Sequence, residues 1–311
     1  MLTANEAARK KAYKVISVIV LVILAFLFLF PLYWILTGAF KPAVDIYNPK
    51  PVWWPTEWVK TNFDDLFNKR TAPLWELAVP FSQFFTDNHK PLIWSTGPVF
   101  PAAFRWLINT VFMSVAAMLL TCLTAAMAGY ALAKKRFRGR AIVFSLIVCA
   151  MALPKQVILI PLLKEMAGLY MYDTLWAVIL PTVGWPFGVF LMKQFSESIP
   201  GEILEAARVD GSSEFRTFST IVIPMVKPGI GALAIFTFIN AWNDYFMQLV
   251  MLPSGSNNTI SLGIATLQND TTVNMGLLMA GAALAAVPII IVFLIFQKYF
   301  TQGITMGAVK G

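Results

Sequence analysis

Six apolar runs, each followed by a more polar segment, set the pattern of this chain. They cover residues 15–36, 106–133, 141–163, 174–192, 228–252 and 275–296. A helix needs about 20 apolar residues to cross the hydrocarbon of a bilayer. The pattern therefore predicts an all-α, polytopic membrane protein with six transmembrane helices. Arg9, Lys10, Lys11 and Lys14 precede the first run. That run is too long for the core of a secretory signal, and no small-residue cleavage site follows it, so it reads as an uncleaved span. Proline interrupts several later runs: Pro154 and Pro161 in the third, Pro181 and Pro186 around Gly184 in the fourth, Pro288 in the sixth. Proline removes a backbone donor and bends a spanning helix, and such bends often shape a pathway.

Two polar segments have content of their own. Residues 41–104 form a long first external loop rich in proline, with tryptophans at 53, 54, 58, 75 and 94. Within it, Thr61 to Phe67 reads as a short amphipathic helix. The aromatics suit either the membrane–water boundary or a surface for a partner protein. Residues 193–227 form the second segment. A helix starts after Pro200-Gly201 and runs to Val209, with acidic Glu202 and Glu205 in its first turns, where the helix dipole favours them. Gly211 breaks it. Ser212-Ser213-Glu214 caps a second short helix from Glu214 to Thr220, which Pro224 and Pro228 are expected to stop. The result is two short helices at an angle.

Composition agrees with a membrane protein. Apolar residues make up 58% of the chain and charged residues only 13%, against about 45–50% and about 25% in soluble domains. A net charge of +8 could point to nucleic acid. The positions of the basic residues argue for topology instead. With the N-terminus inside, the inner segments hold 15 Lys and Arg, and the short outer loops hold only Lys155 and Lys164. Both termini and the 193–227 loop then lie in the cytoplasm. Cys122 and Cys149 fall in apolar runs and read as packing residues. The single histidine, His89, reads as a surface residue, so no metal cluster is expected. No Gly-x-x-x-x-Gly-Lys-Ser/Thr phosphate loop occurs, and no cofactor is expected in this chain.

One apolar run carries unusual polar content. Thr237, Asn240, Asp244 and Gln248 recur at helical spacing, with Asn243 beside them. A carboxylate in a spanning helix is costly and usually faces the bundle interior or water. With a start near Pro228, Asp244 would lie about 24 Å along the helix. These side chains either hydrogen-bond between helices or line a pathway.

The spacing Glu205-Ala206-Ala207, three residues, Gly211, nine residues, Ile221-Val222-Ile223-Pro224 resembles the cytoplasmic coupling loop of permease subunits of bacterial ABC importers. Ile223 stands where that family usually has leucine. Asn109-Thr110, Trp242-Asn243-Asp244 and the ending from Phe296 to Gly311 are similar to the maltose-type carbohydrate branch, and within it to the shorter permease of the pair. The resemblance covers nearly the whole chain; between about residues 72 and 101 it departs as an insertion. It implies a heterodimer with a second six-span permease, and two ATPase subunits that bind ATP and Mg. It also implies an extracytoplasmic solute-binding protein, a carbohydrate substrate, and a place in the bacterial cytoplasmic membrane. By the same resemblance Glu205, Ala206, Ala207, Asp210, Gly211 and Pro224 would belong to the coupling loop docked on the ATPase, with no catalytic residue in this chain. Thr237, Asn240, Asn243, Asp244 and Gln248 would be candidates for the sugar pathway.

Three rival readings remain. A secondary transporter would show more ionisable residues deep in its spans. A membrane enzyme would need a nucleophile–base or metal constellation, which this sequence does not supply. An ABC importer of a glycerol phosphate or polyol would share the same fold and loop.

Overall fold

The structure, a computed structural model, describes residues 4–78, 92–268 and 274–308. His89 lies outside the described residues, as does the ending 309–311. Helices dominate. Among the described residues, four stretches are long and apolar enough to cross a membrane: Ala12–Gly38, Ala102–Lys134, Trp176–Glu197 and Met275–Lys298. Two bent pairs raise the number to six if each counts as one span: Arg140–Ala150 with Lys155–Gly168, bent by 108°, and Glu214–Met225 with Lys227–Asn243, bent by 78°.

The chain divides into two compact units, residues 1–69 with 267–284 and residues 70–266 with 285–311. In the first, the Ala4–Gly38 helix runs through Pro31 without a break. The short helix expected in the first loop is present at Thr61–Asn68. It buries Leu66 and Asn62, and the Asn62 carboxamide donates to the carbonyls of Ala39 and Lys41 at 3.0 and 2.9 Å. Those carbonyls follow the end of the first long helix, where backbone acceptors lack helical partners.

In the second unit the Ala102–Lys134 helix is the central element. Its buried positions, among them Thr110, Met113, Ala117, Thr121, Ala125 and Gly129, follow three- and four-residue spacing and are mostly small. Small residues let helix backbones approach, which is how helices pack where lipid is as apolar as the side chains. At Gly129 there is no room for a side chain: an added Cβ would lie 2.6 Å from backbone atoms of Met192 and Lys193. The core forms two clusters around this helix. One gathers Met113, Ile179, Met247 and Met251. The other gathers Ala126, Tyr130, Met192, Leu204, Val222 and Val226.

Five expectations need correction. The fold is not purely helical. β1 (Thr71–Ala78) and β2 (Ile93–Pro101) form an antiparallel ribbon inside the first loop. Pro73, Pro98 and Pro101 suggest a loop, but proline is tolerated in edge strands, and a two-stranded ribbon has only edges. The third apolar run is not one helix: it breaks between Ala150 and Lys155, ahead of Pro154, because a proline disfavours helical angles in the residue before it. The fourth breaks at Gly184-Trp185, and the fifth at Asp244, whose ψ of 67° leaves the helix. Of the two cysteines, both free, Cys122 is buried but Cys149 is exposed and is not a core residue.

Candidate functional site

The 193–227 loop takes the two-helix form read from its sequence, with one change. The first helix is Gly201–Val209, with Glu202 in its first turn. Gly211 then has φ +71°, a left-handed conformation that costs any residue with a Cβ. Ser213 caps the second helix, accepting from the Arg216 N–H at 3.3 Å. That helix does not stop at Pro224. It widens into a π turn over Phe218–Val222, where the Ile223 N–H bonds to the Phe218 carbonyl, and continues through Ile223–Met225. The wider turn accommodates a residue with no N–H and a bulky ring, so Pro224 is carried within the helix. The chain turns at Val226 and the Lys227–Asn243 helix begins.

The loop is rooted in the core. Leu204, Ala207, Thr217, Val222 and Val226 are buried, and the Lys134 ammonium donates to the carbonyls of Glu197 and Ile199 at 3.1 and 2.5 Å. Of the nominated residues, Glu205, Ala206, Asp210, Gly211 and Pro224 are exposed, while Ala207 faces inward. Sequence reasoning missed two exposed residues of this loop, Val209 (87% accessible) and Phe215 (78%). An apolar residue open to that extent among charges was the available signal. A cavity of about 630 Å³ lies beside the loop, lined by Lys134, Lys135, Arg136 and Arg208 together with Glu205 and Glu214.

Lys135 hydrogen-bonds Glu214, with Arg208 at 3.8 Å from the same carboxylate. The Lys135 bond, helped by the two positive charges, holds the Glu214 carboxyl below the usual glutamate range. A carboxylate with a depressed folded-state pKa contributes fully above its unfolded value, near 4.3, and loses that contribution as the pH falls through the lower folded value. Lys135→Ala should return Glu214 to the ordinary glutamate range. A carbon-13 NMR titration of a Glu-labelled chain, assigned with Glu214→Gln, measures this; an unmoved titration would show that Lys135 does not hold the proton off.

The second constellation is split by the break at Asp244. Thr237 is fully buried, with no partner for its hydroxyl among the described residues. Gln248 is also fully buried: its carboxamide donates to the Ala241 carbonyl at 3.0 Å and accepts from Thr259 at 2.5 Å. The face expected to run through all four residues therefore ends at the break, and Gln248 is a packing residue. Asn240, Asn243 and Asp244 do come together. They line a cavity of about 260 Å³ with Ile239 and Lys155. The Lys155 ammonium is 3.1 Å from Asp244 Oδ2, and Asp244 Oδ1 accepts from the Met247 N–H at 3.3 Å. The Lys and Arg distribution places Lys155 in a short external loop. Its approach to Asp244 depends on the two backbone breaks, which hydrophobicity does not reveal.

Asn109-Thr110 has a structural role. The Asn109 carboxamide donates to the Asn258 carbonyl at 2.9 Å, and the Thr110 hydroxyl accepts from the Ile260 N–H at 2.8 Å. These bonds tie the central helix to the start of the Ile260–Leu267 helix. Asn257, which begins a glycosylation-like triplet, is buried. The other such triplet, at residues 269–271, lies outside the described residues.

Apolar helices, broken spans and a small two-helix loop rooted in the core define a membrane transport component. The family described as binding-protein-dependent transport system inner membrane component matches residues 123–306. The chain belongs to that family and is a multi-pass permease subunit of the ABC importer class. The arabinooligosaccharides transport system permease protein AraQ of Bacillus subtilis (strain 168) is 32% identical over 96% of this chain and 96% of its own length. The diacetylchitobiose uptake system permease protein DasC of Streptomyces coelicolor is 28% identical over 91% of this chain and 92% of its own. In fold, the chain is similar to a bacterial ABC transporter involved in importing the acidic polysaccharide alginate. That match has a TM-score of 0.74 and 20% identity, over 94% of this chain and 98% of the other.

Proposed function

We propose that this chain is one of two six-span permeases of an ATP-driven importer that carries an oligosaccharide across the bacterial cytoplasmic membrane. The six-span reading counts Arg140–Ala150 with Lys155–Gly168 as one crossing, starts the fifth crossing at the Lys227–Asn243 helix so that Glu214–Met225 stays in the cytoplasmic loop, and places both termini in the cytoplasm, in accord with the Lys and Arg distribution. The second permease completes the pathway. Two ATPase subunits bind ATP and Mg beneath it, and a solute-binding protein delivers the sugar from outside. The names of the relatives favour an oligosaccharide.

The observation that carries the mechanism is the 193–227 loop. Its inner faces pack into the same core as Tyr130 and Met192, and it exposes Glu205, Val209 and Phe215. A short rigid element of this kind is a handle. Exposed apolar residues flanked by charges supply anchors for a partner cleft, and Glu205 would pair with a basic residue there. Closure of the ATPases would then move the loop and, through Leu204, Val222 and Val226, rock the spans between inward- and outward-open states. Asn240, Asn243 and Asp244 stand on the pathway side, while Gln248, bonded to Ala241 and Thr259, holds the segments beside them together.

Uptake of arabino- and chito-oligosaccharides by cells with and without this chain tests the reading. The expected result is loss of ATP-dependent uptake of one oligosaccharide class. Uptake that persists without the chain, or that continues after ATP depletion on an ion gradient, would count against it.

A further inference from the structure

We propose that Lys155, Asn240, Asn243 and Asp244 form a binding subsite for one electrically neutral glycosyl unit, and that the Lys155–Asp244 ion pair is the element that discriminates against charged sugars. The proposal rests on the carbohydrate reading above and gives that substrate a contact point in this subunit.

Two of the chain's backbone breaks meet here, and a third lies close by. Lys155 opens the helix that follows the 108° bend, and Asp244 occupies the interruption after Asn243. The ring of Trp185, at the break in the fourth run, is centred 5.9 Å from the Lys155 ammonium. Irregular backbone within a membrane is tolerated where it is buried in protein or lines a cavity, and in transporters such breaks carry substrate sites.

The hydrogen-bonding capacity left over faces the same cavity. Asn240 and Asn243 commit their amide N–H groups to the carbonyls of Phe236 and Ile239, at 2.9 and 3.0 Å. Their carboxamide oxygens accept nothing from the described residues and remain acceptors for a ligand. A carboxylate has about four acceptor directions and an ammonium three donors. The ion pair and the Met247 N–H use only part of these. The pair is not sealed in: the Lys155 side chain is 49% accessible and that of Asp244 19%. Lys155 thus offers donors, the two asparagines and Asp244 offer acceptors, and Ile239 offers an apolar surface, with no net charge. Sugar hydroxyls donate and accept at once, so they fit a mixed edge of this kind. About 260 Å³ suits one sugar ring better than a chain of them.

Neutrality follows from the pairing. A sugar carboxylate could approach Lys155 only by competing with Asp244, whose side chain, only 19% accessible, would then be left charged and without its cation. Removing one partner of such a pair is costly for that reason. Replacing Asp244 with a neutral amide frees Lys155 and should reverse the preference.

The test uses the intact importer purified with its partner subunits, without nucleotide and without the binding protein. Thermal stabilisation is titrated with maltose, cellobiose and chitobiose, each beside its C6-carboxyl derivative. At least one neutral disaccharide should stabilise the wild-type complex, and its carboxyl form should bind more weakly. Asp244→Asn should shift the carboxyl-to-neutral affinity ratio by about tenfold toward the carboxyl form. Asn243→Ala, at an exposed position that should not affect folding, should weaken neutral binding severalfold and leave the ratio alone. An unchanged ratio in Asp244→Asn together with unchanged binding in Asn243→Ala overturns the subsite, as does the absence of any stabilisation of the wild type. Sugar-stimulated ATP hydrolysis with the binding protein restored separates the two readings. If stimulation persists, only the subsite fails; if no sugar stimulates, the carbohydrate reading falls with it.

Discussion

Gly211→Pro is expected to cut ATP-driven uptake at least tenfold while the protein still reaches the membrane. Two independent constraints meet at this residue. Its φ is +71°, whereas proline is held near −65°, and its N–H donates to the Arg208 carbonyl at 3.0 Å, a donor that proline lacks. The substitution therefore changes the angle between the two exposed helices and the position of Glu205, Val209 and Phe215. An added Cβ would meet nothing within 4 Å. The cost of Gly211→Ala is thus backbone strain alone, about 1–2 kcal/mol for a left-handed residue. Gly211→Asn should cost less, because asparagine tolerates that conformation. The order Gly, Asn, Ala, Pro in ATP-driven uptake, at equal membrane amounts, is the expected outcome. Full uptake by the proline variant would mean that the loop's shape does not matter to coupling.

The second large effect is expected at Gly129, where the obstacle is space. A Cβ here would meet backbone atoms of Met192 and Lys193 at 2.6 Å, and backbone, unlike the end of a flexible side chain, cannot swing aside. Gly129→Leu must separate the central helix from the Pro186–Glu197 helix. Overpacking of a tight core typically costs 1–3 kcal/mol, and this contact belongs at the upper end or beyond because two backbones must part. The same cluster holds Leu204 and Val222, so the loss should extend to the 193–227 loop. A lower thermal midpoint of the detergent-solubilised protein and reduced assembly with partner subunits are the expected readouts. Gly129→Ala should fall between wild type and leucine. An unchanged midpoint in the leucine variant would show that the two helices do not pack this closely.

What the sequence made legible follows from which signals are local. Gly211, the Ser213 cap and Glu202 in the first turn of its helix act through their own backbone, and the two-helix loop took the form read from them. Apolar runs revealed the membrane character but not the path of the backbone within them. Leu153 before Pro154 and Trp185 before Pro186 sit within apolar runs, yet the helix breaks there, while Pro31, Pro161, Pro181 and Pro288 lie inside continuous helices. Hydrophobicity measures what a residue buries, not whether a neighbour satisfies the carbonyl that a proline leaves free. The polar residues of the fifth run show the consequence. The break at Asp244 parts Gln248 from Asn240 and brings Lys155 into their place, a pairing across 89 residues that no local pattern encodes. The β-ribbon was hidden for a related reason, since its prolines are acceptable only because each strand has a free edge.

If an ATPase takes hold of this chain at the 193–227 loop, the exposed Val209 and Phe215 should lie against it. Cysteine placed at Val209 or Phe215, in a chain freed of Cys122 and Cys149, offers the direct measurement: thiol cross-linking in native membranes, followed by identification of the attached protein by mass spectrometry. The expected result is a covalent adduct with an ATPase subunit from both positions, whose yield changes when ATP is added and which fails to form in Gly211→Pro. A chain that cross-links to no ATPase at either position, yet still supports ATP-driven uptake, would contradict it.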